Sequence, residues 1–164
     1  MTSNSVFGTR RAAKGLTLIE VLVTLVVMSL GLLGVAALQT RGMQANHHAY
    51  YYSQASALAY EMAERIRVNP TVLNEYEMTM GESLSHVDCE TSSCSTTGIA
   101  QYDLWEWVEN SLKKRLGESA AASISNSSGT VTIKIRWLSR GGGNCNAAGG
   151  AGTQYSCHTL TLIP

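Results

Sequence analysis

The chain has 164 residues, with 12 basic and 12 acidic side chains and a formal net charge of zero. Length alone suits one domain of ordinary size. Arg10, Arg11 and Lys14 set aside, nine basic residues face 12 acidic ones, and so mildly acidic a body argues against nonspecific nucleic-acid binding as its main task.

Arg10, Arg11 and Lys14 lead, with no acid among them, into the run Leu16–Leu38, LTLIEVLVTLVVMSLGLLGVAAL, in which Glu20 is the only charge. About 23 residues make a helix of roughly 34 Å, enough to cross a hydrocarbon core of about 30 Å. Basic residues before the run and only Arg41 soon after it predict a cytoplasmic N-terminus, with the rest of the chain across the membrane. A cleaved secretory signal would end at an A-x-A-like site with a polar flank; Gly34, Ala36 and Ala37 come nearest to one. A plain anchor explains the apolar run and the arginines but neither Gly15 nor Glu20. A carboxylate costs about 2.5–3.5 kcal/mol at mid-membrane on insertion scales. Close to a helix end it either snorkels to the interface or meets a cation.

From Met43 to Arg67 no proline intervenes. Met43, His47, Tyr51, Ala55, Leu58, Met62 and Ile66 recur in steps of three and four, the period of a helix. Asn69-Pro70 stops that helix, because the residue before proline disfavours helical dihedrals. His47, His48 and the run Tyr50 to Tyr52 read as packing or interface residues rather than ligands. Residues 71–100 are rich in Ser, Thr and acids and read as loop. Asp103 and Glu106 have capping-box spacing and open a second helix. Leu104, Val108, Leu112 and Leu116 form its apolar face, flanked by Trp105 and Trp107, and Gly117 ends it. Lys113, Lys114 and Arg115 complement its dipole.

Gly117 to Gly129 reads as linker. Thr130 to Leu138 alternates, with Val131, Ile133, Ile135 and Trp137 on one face, as a half-buried strand does. His158 to Ile163 alternates again, beyond a long glycine-rich loop. An even cysteine count in an exported domain reads as two disulfides. Cys89, Cys94, Cys145 and Cys157 allow three pairings. Cys89–Cys94 with Cys145–Cys157 is preferred, since each closes a short polar loop. Free thiols remain an alternative, as does zinc held with His86 or His158, although the spacing matches no common zinc module. No G-x-S-x-G, phosphate-binding loop or H-E-x-x-H occurs. His86 and Asp88 are near neighbours, but sequence proximity alone makes no site. No enzyme, cofactor or metal is expected.

Gly15-Leu16-Thr17-Leu18-Ile19-Glu20, behind a short basic segment and ahead of an apolar helix, resembles the processing site of type IV prepilins and type II secretion pseudopilins. The resemblance implies that a prepilin peptidase cuts after Gly15. Leu16 then becomes a methylated N-terminus and Glu20 the fifth mature residue. It also implies that the new amine of one subunit meets the glutamate of a neighbour. Leucine at the first mature position is less usual than phenylalanine. Ala37 stands where many major pilins carry a kinking proline.

"LIEVLVTLVVMSLGLLGVAALQ", "IRWLSRGGGNC" and "CHTLTLIP" are similar to the PilV family of minor pilins, which places a cysteine pair where Cys145 and Cys157 fall. The implied architecture is α+β: a long N-terminal helix on a small antiparallel sheet. It divides into a leader (1–15), a membrane half of the helix (16–38), an amphipathic half (39–69) and a periplasmic or extracellular region (70–164). The implied role is pilus priming or tip assembly with other minor and major pilins, from the inner membrane to the cell surface. A type II pseudopilin, or a tip module recognising a surface or DNA, is the alternative.

Overall fold

The computed structural model describes Gly15, residues 17–139, Cys145 and residues 155–164. Arg10, Arg11, Lys14, Leu16 and most of the glycine-rich loop lie outside the described residues. The chain forms two units, Met1–Gln44 and Ala45–Pro164. Helix α1, Leu18–Val68, runs through the boundary between them.

In the first unit the described helix is apolar and exposed, with Leu18, Ile19, Leu33 and Leu38 each about two-thirds or more open. By length and composition this helix could cross a membrane. In the second unit α1 buries Ala55, Leu58, Ala59, Met62, Ala63 and Ile66. The expected stripe therefore reaches the core from Ala55 onward. Met43 and His47 are exposed. His47 instead sets its ring edge-to-face against Tyr51, at 4.9 Å. Asn69 ends the helix, and Pro70–Tyr76 follows as a 3-10 turn.

The segment expected to be loop up to residue 100 is shorter than that. Helix α2, Thr96–Glu106, starts seven residues before Asp103. Its cap is Ser95, whose hydroxyl accepts from the Gly98 amide at 3.2 Å. Asp103 and Glu106 are thus no capping box; both turn toward α1. A π-helical stretch, Trp107–Leu112, joins α2 to a last turn, α3, Lys113–Leu116. The wider turn buries Trp107, Val108, Ser111 and Leu112 together, so Trp107 is core rather than flank. Gly117 ends the helix with φ +95°, a conformation that favours glycine.

Three antiparallel strands follow in the order β1 (Ala121–Ser127), β2 (Thr130–Leu138) and β3 (Tyr155–Leu162). The expected linker Gly117 to Gly129 therefore contains a strand. Ser128 and Gly129, at φ 52° and 85°, make the tight turn between β1 and β2. Val131, Ile133, Ile135 and Trp137 are all buried, and their face of β2 meets α1 and α2 in one core. Met78 pairs with Ile124 through two backbone bonds of 3.0 Å, covering part of the outer edge of β1.

Candidate functional site

At the start of α1, Gly15 is exposed and a Cβ added there would meet nothing within 4 Å. Thr17 begins the helix. Its carbonyl accepts from the Glu20 amide at 3.0 Å, and its hydroxyl lies 3.4 Å from the same amide. Thr17-Leu18-Ile19-Glu20 thus has the spacing of a capping box, with the carboxylate in the first helical turn. There a negative charge complements the free amides and the dipole. Glu20 is exposed and has no ion-pair partner among the described residues. Leu16 is outside the described residues, so the amine that cleavage would uncover is not in view.

The apolar stretch that follows carries hydroxyls that sequence reading passed over. Thr24 donates to the Val21 carbonyl and Ser29 to the Val26 carbonyl, each at 2.8 Å. Thr40 donates to the Ala36 carbonyl at 3.0 Å. Each polar group is satisfied within its own helix, as hydrocarbon demands. The signal for this was present: serine and threonine are the side chains that bond back to a carbonyl one turn earlier.

In the second unit, α1 is fixed to α2 by charge as well as packing. Arg65 meets Glu106 at 2.5 Å, Glu61 at 3.1 Å and Asp103 at 3.3 Å. Burial opposes the charge of its guanidinium, but these acids outweigh that and hold its proton above the ordinary range. Tyr76 donates to Asp103 at 2.8 Å, and Asn69 Nδ2 donates to the Thr96 carbonyl at 2.8 Å. Burial, joined by the Asp103 bond, pushes the Tyr76 hydroxyl up to about 12. Trp107 Nε1 donates to the Leu58 carbonyl at 3.1 Å.

Disulfides join Cys89 to Cys94 and Cys145 to Cys157. Asp88 caps the first loop, accepting from the amides of Glu90 and Thr91 and from the Thr91 hydroxyl. Those bonds, the Thr91 hydroxyl first, hold its carboxyl below the ordinary range. His86 packs on Trp105 at 4.1 Å and adds only the last of the influences that hold the Asp88 carboxyl low. Lys113 pairs with Glu109, Lys114 bonds Asn110, and Arg115 lies 3.6 Å from Glu61. The basic run is thereby engaged on its own helix and on α1. His48, rather than His47, meets the segment just past the end of β2, with Nε2 at 3.0 Å from the Ser139 hydroxyl. Among the described residues the His48–Ser139 contact is the one serine–imidazole bond, and the other groups serve as ion pairs, caps and packing contacts. The arrangement can hold a helix, staple loops and present surfaces.

A family model described as type IV pilin Tt1218 matches residues 37–105. A second model, described as the prokaryotic N-terminal methylation motif, matches residues 10–36. No curated protein and no solved structure matches the chain at a significant level. The long helix on a three-stranded antiparallel sheet is consistent with the type IV pilin fold.

Proposed function

For a chain that carries a type IV pilin match on its helix and the methylation motif at its N-terminus, we propose the role of a minor pilin of the PilV kind. It contributes to the priming or tip complex of a type IV pilus. Prepilin peptidase cuts after Gly15, Leu16 is methylated, and the apolar helix anchors the subunit in the inner membrane until it enters the filament. The N-terminus faces the cytoplasm and the C-terminal region the periplasm. Cys89–Cys94 and Cys145–Cys157 are the disulfides of that oxidised compartment.

The observation that carries this reading is Glu20, in the first turn of α1 and the only charge in the run 16–38, without an ion-pair partner among the described residues. In low dielectric a lone carboxylate is costly and a matched pair is favoured. The Leu16 amine of an adjoining subunit supplies the match, so the pair sets the register between helices. The exposed side of α1 between His48 and Tyr60 is a shallow, open surface of small and aromatic residues, among them Ala49, Tyr52, Ser53 and Ala57, a face left free for a neighbouring subunit.

Glu20→Ala leaves membrane insertion unchanged and reduces recovery of the subunit in sheared pili. Recovery equal to that of the native chain would remove the register role.

The methylation motif serves a type II pseudopilin equally well. Deletion separates the two: loss of pili supports the proposed role, and loss of protein secretion with intact pili supports the pseudopilin. Intact pili with lost attachment or DNA uptake would instead mark a tip-binding module.

A further inference from the structure

His158 lies on β3, directly opposite Ile135 of β2 in the register. That position puts it on the core face of the sheet, in line with Ser156, Leu160 and Leu162, since side chains alternate along a strand. Its ring meets Tyr52 of α1 edge-on, with centroids 5.1 Å apart and planes at 83°. The residue is half-buried, yet both ring nitrogens are shielded from solvent and neither has a hydrogen-bond partner among the described residues. A neutral imidazole always carries one donor and one acceptor, and buried polar groups are rarely left unmet. This histidine is thus seated as if it were an apolar aromatic ring.

We propose that His158 is an acid-sensitive latch, whose protonation releases edge strand β3 from α1 while the Cys145–Cys157 disulfide keeps the strand tethered. The proton comes from solvent and adds to the bare ring nitrogen. It creates a cation with two donors that meet no carboxylate among the described residues. Tyr52 is the titratable group that faces the ring from α1, and β2 presents Ile135 and Trp137 on that face. Lys134 and Arg136 of β2 and Tyr155 of β3 fall on the opposite face by alternation, with Arg136 stacked over Tyr155. His48, one turn before Tyr52 on α1, differs: its Nε2 is already engaged by the Ser139 hydroxyl.

Burial holds the His158 imidazole below the ordinary histidine range. A detached strand would take up its proton near the ordinary value of about 6.5. The packed strand is therefore fully favoured above that pH, and the advantage is lost as pH falls through it. One such group changes the opening equilibrium by at most about tenfold per pH unit. The strand concerned lies at the sheet edge, where a local opening breaks the fewest ladder bonds.

The test is hydrogen–deuterium exchange of the full chain in detergent micelles at pH 8, 6.5 and 5, corrected for intrinsic exchange. Amides of β3 are expected to lose about three- to tenfold protection per pH unit below about 6, while the β1–β2 ladder stays protected. His158→Phe keeps the ring and should abolish that loss; His48→Asn should not. Retention of the loss in His158→Phe, its disappearance in His48→Asn, or equal loss in all strands would overturn the proposal. Should His158→Phe fail to fold, the His158 resonance of the native chain decides by NMR. Titration below the ordinary histidine value is expected, and titration at or above it would refute the latch.

Discussion

The indole of Trp107 donates to the backbone carbonyl of Leu58 across 49 residues of sequence, and both side chains are fully buried. That carbonyl sits inside α1, so one bond fixes the rotation of the π-helical stretch against the long helix. Trp107→Phe keeps most of the ring and removes the donor. The expected loss of stability is about 1–3 kcal/mol. Trp105→Phe, at a half-exposed site, is expected to cost less. Chaotrope unfolding of the detergent-solubilised chain, followed by circular dichroism, measures both.

Tyr76 gives the fold an alkaline limit. Its hydroxyl is held at about 12 by burial and by its bond to Asp103, whereas an unfolded tyrosine ionises near 10. Between those values the unfolded state has released its proton and the folded state has not. Stability therefore falls as pH rises through that window. Tyr76→Phe should flatten this part of a melting-temperature profile, at the cost of the Asp103 bond near neutrality. An unchanged alkaline slope in the variant would show that Tyr76 is not its source.

The two disulfides close loops of different size, with sequence separations of 5 and 12. Chain entropy assigns about 2 kcal/mol to the shorter and about 3 kcal/mol to the longer. Cys157→Ser should thus lower the melting temperature more than Cys94→Ser, and lower the yield from an oxidising compartment. Equal melting temperatures for the native chain and Cys157→Ser would contradict this.

Much of the fold was legible because its periods are clean. The alternation of Val131, Ile133, Ile135 and Trp137 and the helical stripe from Ala55 to Ile66 each match the buried face observed. β1 was missed because AASISNS has little β-branched content and no bulky alternation; pairing to β2 makes it a strand. The usable sign was Ser128-Gly129 just before a strong strand, a turn dipeptide that implies a partner upstream. The start of α2 was missed because Asp103 and Glu106 mimic a cap while serving Arg65, and Ser95 lies among many other polar residues. At the candidate site, Glu20 stood out as the one charge in an apolar run, and Gly15 through the resemblance of Gly15 to Glu20 to a prepilin processing site. The orphaned nitrogens of His158 did not, since partnership depends on neighbours distant in sequence.

Where the chain is cut decides whether Leu16 supplies the amine that Glu20 needs. Intact-mass and N-terminal peptide mass spectrometry of the native product, purified from membranes or sheared pili, tests it most directly. A start at Leu16 bearing one added methyl group is the predicted result. An uncut start, or a new one downstream of residues 16–38, would contradict it.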